Sequence, residues 1–389
     1  MKKTLLTIIT ALMAGIAYAQ GIDGVLDCIE RNNPELQALR KEHEAGCLDI
    51  KAQNNLDDPS VEYSPFFNKE TSGVASSELV VSQGFDFPTV YAARSKAANL
   101  QQEALRQQLM TSRRDIMFSA ATLCLDLVCQ QKRKELVDKR EENAISLQRL
   151  CEKRLKEGDA TILELNKIKM DLMAIKAEKA KTEATLATTV LALTSMNGGK
   201  PLPLSDIDYP DLPTEDDATL LSTAIAGNRD INEAIAAANA SEQDVKLNRQ
   251  AWLPKIDIGY RRNTDGSDAS NGFLVGATFP IFSSKGKLKA AKARQESDRL
   301  KLANARATAE SAIKAKIGEL KQLRRIAEAY DTTLMHQTLE LLMKAVEQGE
   351  MTITDYYTQA DGVYQSLLAQ IDIERQLQGV AADIRKDEL

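Results

Sequence analysis

The sequence predicts a mainly helical protein with a few β-strands, built from two copies of one unit. The first observation is a stretch from Thr89 to Lys200 that contains no proline, the residue that breaks helix interiors. The second is a pair of alternating, strand-like runs that follow Pro59 and Pro254. The third is that helix, strand pair and long helical stretch recur in the same order in both halves, which indicates an internal duplication.

The proline-free stretch predicts helices of unusual length. Its apolar side chains recur at spacings of three and four, as at Ile116, Ala120 and Leu123, the pattern of a helix with one buried face. Its strong interruption is the corner Glu157-Gly158-Asp159. We therefore expect two antiparallel helices of roughly 40 to 65 residues, against a globular average of about 11–12.

Composition and charge exclude several classes of protein. The chain has 389 residues, 27% charged and only 5% aromatic, with a net charge of −6, which disfavours a nucleic-acid partner. No nucleophile elbow, phosphate-binding loop or zinc-protease motif occurs, so we expect neither an enzyme nor a cofactor or metal site. The five cysteines show no disulfide or zinc spacing and are predicted core residues. His43 and His336 are predicted surface residues.

The first 19 residues have the pattern of a secretory signal. Lys2 and Lys3 precede an apolar core from Leu5 to Ile16, and Ala17-Tyr18-Ala19 provides a small-x-small cleavage site. The apolar core is too short to span a bilayer. The mature protein is therefore predicted to be exported, as either a soluble protein or a membrane protein of the β type.

The first copy is predicted to occupy residues 20–200. A helix over Gly21–Asn33 is followed by another that Asn33-Pro34 caps and that continues to about Leu56. Strand-like runs at Val61–Tyr63 and Glu78–Ser82 flank a turn at Asn68–Gly73. The long helix pair completes this copy.

A linker at residues 201–217 separates the copies, since proline clusters there. The second copy, 218–389, repeats the first: Pro254 follows Asn228 by the same 26 residues that separate Pro59 from Asn33. Strands are expected at Pro254–Tyr260 and Gly272–Phe279, around a polar turn at Thr264–Asn271. A proline-free run from Ser283 to Leu389 should again form long helices with one corner, at Gly349.

The number of strands constrains the assembly. Each copy supplies one hairpin, and the resulting four strands cannot close a barrel, whereas lipid does not tolerate an open sheet edge. Three chains would supply twelve strands. The alternative is that the hairpins are surface ribbons on a soluble helical scaffold.

The chain resembles the outer-membrane efflux (TolC) family along nearly all of the mature sequence. The resemblance depends on Asn33-Pro34-Glu35, Leu253-Pro254, Phe279-Pro280-Ile281-Phe282 and the twin corners Gly158-Asp159-Ala160-Thr161 and Gly349-Glu350-Met351-Thr352. It implies a homotrimer with a twelve-stranded outer-membrane β-barrel on a long α-helical periplasmic tunnel. Such a protein is a passive duct in outer-membrane lipid, whose partners are a periplasmic adaptor and an inner-membrane pump of the RND type. The run Val80–Pro88 is similar to the branch that serves heavy-metal cation pumps.

The resemblance also implies functional residues. The two corner motifs, residues 158–161 and 349–352, would contact the adaptor. Asp355 stands where the family channel has an aspartate that narrows the pore, and Glu164 is its counterpart in the first copy. Thr358, Met351 and Val346 replace three other gate residues. The alternative for Asp355 and Glu164 is an exposed helix acid.

Two other readings of the whole chain remain. One is a soluble periplasmic adaptor, but an adaptor has a single helical hairpin in a small β domain. The other is a coiled-coil scaffold or filament, which the proline-flanked strand pairs disfavour. The C-terminal Lys386-Asp387-Glu388-Leu389 matches an ER-retention signal, and we interpret this as coincidence.

Overall fold

The computed structural model describes residues 21–67, 73–205 and 207–389. The predicted signal segment, residues 1–19, and residues 68–72 of the first predicted hairpin turn lie outside the described residues. The helices are α1 (Ile22–Asn32), α2 (Pro34–Ala52), α3 (Pro88–Glu157), α4 (Ile162–Met196), α5 (Asp217–Gly227), α6 (Arg229–Asn248), α7 (Lys287–Glu328), α8 (Thr332–Gln348) and α9 (Ile353–Ile384). The strands are β1 (Ser60–Phe67), β2 (Val74–Phe85), β3 (Lys255–Asp265) and β4 (Asp268–Thr278).

The predicted helix pair of the first copy is confirmed, with unequal lengths. Helix α3 has 70 residues and α4 has 35, so α3 exceeds the expected range and α4 falls short of it. Pro88 occupies the first helical position of α3, where its missing N–H is not needed.

The second copy departs from the predicted pattern. We expected one long helix before the Gly349 corner, but the chain is interrupted between α7 and α8. Asp331 begins α8 by accepting a hydrogen bond from the backbone N–H of Leu334 at 2.9 Å, which is N-capping. The residues around Asp331 include neither glycine nor proline, so the sequence contains no strong signal for a helix end at this position.

The prediction that asparagine begins the second helix of each copy is confirmed. The side-chain oxygen of Asn33 accepts from the N–H of Leu36 at 2.9 Å, and that of Asn228 accepts from Ile231 at 3.0 Å. Both asparagines are buried, and their polar atoms therefore need such partners.

The described chain divides into two compact units, each of which contains segments of both copies. Unit 1 comprises the chain up to Gln37 with Arg114–Ala224 and Ile313–Leu389, and unit 2 comprises Ala38–Arg113 and Ile225–Ala312. Unit 1 is helical and has two large apolar clusters, one around Leu147 and Tyr356 and the other around Ile29 and Leu193. Cys124, Cys129 and Cys151 are buried in unit 1 as predicted, whereas Cys28 and Cys47 are half-buried.

Unit 2 contains an antiparallel sheet in the order β1-β2-β3-β4. The central pair, β2 with β3, joins the hairpins of the two copies from Ser76 opposite Asp265 to Phe85 opposite Ile256. The polar turn predicted at Thr264–Asn271 is wrong in extent: the ladder continues through both sides to Asp265 opposite Asp268. Strands β1 and β4 are the sheet edges in a single chain.

One face of this sheet is mostly apolar and exposed, with Gln83, Arg262 and Asn271 as polar members. Tyr260 pairs with Phe273 and Ile258 with Val275, and directly opposed residues share a face. Phe273 is 93% exposed and Val275 is 78% exposed. The other face is polar and includes an ion pair between Arg261 and Glu78 at 2.6 Å. Among the described residues, no helix is both long and apolar enough to cross a membrane.

The predicted linker is held against the helices of unit 1. Gln378 donates to the carbonyl of Pro210 at 3.0 Å, Arg324 donates to that of Pro213 at 2.9 Å, and Arg385 donates to Glu215 at 2.7 Å. Residues 210–215 of the proline-rich linker are therefore fixed to these helices by hydrogen bonds.

Candidate functional site: the twin corners and the acids that follow them

The two corners have the same backbone geometry. Gly158 and Gly349 have φ of 87° and 81°, the left-handed region that side chains with a Cβ disfavour. The N–H of the next residue closes each turn: Asp159 donates to the carbonyl of Arg154 at 2.8 Å, and Glu350 donates to that of Ala345 at 2.9 Å. Both helices thus end in the same glycine C-terminal motif.

Each corner leads directly into a threonine-capped helix. The Thr161 hydroxyl accepts from the N–H of Glu164 at 3.2 Å, and the Glu164 carboxylate accepts from the N–H of Thr161 at 2.8 Å. This reciprocal pair is a capping box. In the second copy, Thr352 accepts from the N–H of Asp355 at 3.1 Å and donates its hydroxyl to that carboxylate at 2.6 Å.

The acids predicted for the pore therefore have a local structural role. Glu164 and Asp355 are both third residues of the helices that begin at the corners, and both carboxylates bind the capping threonine of their own helix. Asp355 is exposed and Glu164 is half-buried. This arrangement gives each acid a fixed position whether or not it also faces a pore.

The corners are neighbours within unit 1. The Arg154 guanidinium, four residues before Gly158, donates to the carbonyl of Val346 at 2.6 Å. A Cβ built at Gly349 would lie 3.8 Å from the same guanidinium nitrogen. Val346 is near the end of α8, and its carbonyl also accepts from the N–H of Gly349 at 3.1 Å. Arg154 therefore adds a second donor to this carbonyl and joins the two corners.

Six of the eight predicted corner contacts are exposed: Gly158, Asp159, Thr161, Gly349, Glu350 and Thr352. The other two, Ala160 and Met351, occupy equivalent positions and pack against the apolar cluster of unit 1. Sequence reasoning missed two apolar side chains beside the first corner, Ile162 and Leu163, of which Leu163 is 76% exposed.

A charged cavity of about 370 Å³ between α3, α4 and α9 was also not predicted. Arg140 lines this cavity, 3.5 Å from Asp171 and 3.3 Å from Asp361. Its guanidinium also lies over the ring of Tyr364, at 5.1 Å from the centroid. Within the described part of the chain, the buried hydroxyl of Tyr357 has no hydrogen-bond partner.

The Asp171 carboxyl makes this cavity sensitive to pH. Burial raises its pKa above the ordinary value, although Arg140 acts in the opposite direction. A raised folded-state pKa means that folding favours the protonated form. The corresponding stability is present below the unfolded pKa of about 3.9 and is lost as the pH rises through the folded-state pKa.

Asp171→Asn is therefore expected to raise the melting temperature at pH 7.5, with a gain that shrinks towards pH 4. Each unit of pKa shift corresponds to about 1.4 kcal/mol. Asp361→Asn, which removes an exposed acid from the same arginine, is the matched control. Melting followed by circular dichroism across this pH range measures the effect; equal gains for both variants at every pH would contradict it.

Solved outer-membrane channels share this fold. The chain has a TM-score of 0.75 to the CmeC outer membrane channel of Campylobacter jejuni, with 15% identity over 94% of this chain and 85% of that chain. The TM-score to CusC is 0.74, with 16% identity over 93% of this chain and 91% of that chain. The TM-score to VceC of Vibrio cholerae is 0.65, with 18% identity over 94% of each chain. No curated protein sequence matches the chain.

The chain thus has the fold of these outer-membrane channels. The family model described as outer membrane efflux protein matches residues 25–199 and 220–386, and the chain belongs to this family. The heavy-metal branch stays a prediction, because neither the family model nor these channels' descriptions name a cargo. No group of three or more side chains suited to hold a metal ion occurs among the residues described.

Proposed function

We propose that the chain is the outer-membrane exit duct of a tripartite efflux system. Substrates would pass through it passively, from a periplasmic adaptor and an inner-membrane pump. The observation that carries this proposal is the two-faced sheet of unit 2, in a chain of the outer membrane efflux protein family. An exposed apolar face opposite a polar one is what a strand between lipid and an aqueous lumen requires.

The sheet also supports assembly from several copies. Strands β1 and β4 leave unpaired backbone groups in one chain, and such edges are costly in lipid. Three copies would pair β4 of one chain with β1 of the next and close a ring of twelve strands. The helices of unit 1 would then contribute to a periplasmic tunnel.

The six exposed corner residues are the proposed adaptor contact. They are held in place by two glycine turns, two threonine caps and the bridge from Arg154. A contact surface fixed in this way loses little conformational freedom on binding. The finer proposals are that the pump is of the RND type and that the chain belongs to the branch that serves heavy-metal cation pumps.

The acids Glu164 and Asp355 are proposed to line the neck of the duct. Both are the third residues of the helices that begin after the corners, so each lies only about 5 Å along its helix. A trimer would gather three copies of each acid around the axis, and a ring of carboxylates attracts cations.

Planar-bilayer recordings of the purified full chain test both the duct and the neck. The protein should give stable conductance steps, and Glu164→Gln with Asp355→Asn should lower the preference for K⁺ over Cl⁻ by about twofold or more and weaken block by divalent cations. These substitutions remove charge but retain an oxygen for each threonine cap, whereas alanine would also remove the cap.

Glu183→Gln with Glu340→Gln provides the control. These acids are exposed and lie farther from the corners, on α4 and α8 respectively. The absence of any conductance would contradict the duct. Unchanged selectivity and block in the neck variant would show that Glu164 and Asp355 do not face the pore.

A further inference from the structure

A dense basic segment follows the last strand of the sheet. Between Phe279 and Arg294 the chain has five basic residues and no acid, and all five are exposed: Lys285, Lys287, Lys289, Lys292 and Arg294. Within the described part of the chain, none of them has an acidic partner at ion-pair distance. Three of the lysines are near the start of α7, where the helix dipole disfavours positive charge. An anionic ligand bound from outside the chain would therefore stabilise this basic segment.

The duplication does not account for this segment. The corresponding part of the first copy, after Phe87-Pro88, has only Arg94 and Lys96 over the next twelve residues. Arg94 is occupied by an ion pair with Asp86 at 2.7 Å. The five basic residues are thus specific to the second copy.

Exposed apolar side chains lie directly between β4 and the basic segment. Phe279, Ile281 and Phe282 all face solvent, with Ile281 73% and Phe282 88% exposed. Phe282 and Lys287 line one groove of about 550 Å³ together with Ala251 and Leu253. Trp252, between those two residues, is itself exposed.

The apolar side chains continue the exposed apolar face of the sheet. Phe273 and Val275 are on β4, which ends at Thr278, one residue before Phe279. If this face contacts lipid, which rests on the proposed function, Phe279–Phe282 reaches the membrane boundary and the lysines lie just beyond it. Aromatic residues favour that boundary, and clustered lysines there attract anionic headgroups.

We propose that residues 279–294 form an anchor for anionic phospholipid headgroups of the periplasm-facing leaflet. Phe279, Ile281 and Phe282 insert at the acyl boundary. The basic side chains bind the lipid phosphates, which offsets the cost of lysines at the start of α7.

Fluorescence of Trp252 tests this anchor, because it is the single tryptophan of the chain. The full-length protein is reconstituted in vesicles that contain brominated phosphatidylcholine or, at the same mole fraction, brominated phosphatidylglycerol. Bromine quenches tryptophan only at close range. We expect both lipids to quench Trp252, with phosphatidylglycerol about threefold more effective. Salt at 1 M, where the screening length is about 3 Å, should abolish the difference.

The variant Lys285→Gln/Lys287→Gln/Lys289→Gln should lose the preference for phosphatidylglycerol but retain quenching by both lipids. Lys169→Gln/Lys176→Gln/Lys181→Gln, with the same change in charge at exposed positions of α4, should behave like the unmodified protein. The absence of quenching by either lipid would contradict the proposed membrane location of the sheet.

Equal quenching by the two lipids would overturn the anchor and leave the duct intact. A preference for phosphatidylglycerol that survives the triple substitution would also overturn it. The anchor would also be overturned if the triple substitution dissociated the assembly and no preference between the two lipids were seen. The lysines would then contact a neighbouring copy.

Discussion

Replacing either corner glycine with valine is expected to abolish pump-dependent efflux while the protein still assembles. Gly158 and Gly349 have φ of 87° and 81°, and the left-handed region costs residues with a Cβ about 1–2 kcal/mol. No atom lies within 4 Å of a Cβ at Gly158, so the strain is confined to the backbone. Such a cost reshapes the corner without unfolding a large helical unit.

Drug or metal resistance of cells that contain the variant with its adaptor and pump measures the effect. Gly266→Val is the control, since Gly266 also has a positive φ, 58°, and open space around its Cβ but lies in the β3–β4 turn. Unchanged resistance in both corner variants would show that the corners do not form the proposed adaptor contact.

The second large effect is expected at the C-terminus. Arg114 and Asp387 form an ion pair at 2.9 Å, with side chains only 6% and 8% exposed. Asp387→Ala should lower the free energy of unfolding by about 3 kcal/mol, because removal of one partner leaves a buried charge poorly compensated. Asp115, at 2.8 Å from Arg114 but 63% exposed, replaces only part of the lost interaction.

Denaturant titration of the detergent-solubilised protein measures this loss. Glu388→Ala removes an exposed acid one residue farther on and should have little effect. Equal stability of both variants would show that the ion pair is not structural. The pair also gives Asp387 a place within the fold, consistent with our interpretation of the last four residues as coincidental in their likeness to a retention signal.

Local signals in the sequence account for much of the fold. Absence of proline identified α3 and α4, the asparagine caps identified α2 and α6, and the glycine corners identified the turns that follow α3 and α8. Each of these depends on the backbone chemistry of one or two residues. The caps formed by Thr161 and Thr352 follow the same local rules and add a structural role to the contact role predicted for these residues.

Features that depend on distant residues could not be read in this way. Strand β3 extends through Thr264 and Asp265 because it pairs with β2 of the other copy. A pairing between distant strands cannot be predicted from a local pattern. The cavity joins side chains such as Arg140 and Asp361, which are 221 positions apart in the chain. The only available signal was that Tyr356, Tyr357 and Tyr364 cluster in a chain with nine tyrosines.

Native mass spectrometry of the protein extracted from the outer membrane in detergent tests the central claim most directly. The chain mass is 42.8 kDa before removal of the predicted signal. The proposed duct predicts an assembly of three such chains in the outer-membrane fraction, because the four strands of one chain leave two open edges. A water-soluble monomer in the periplasmic fraction would contradict it.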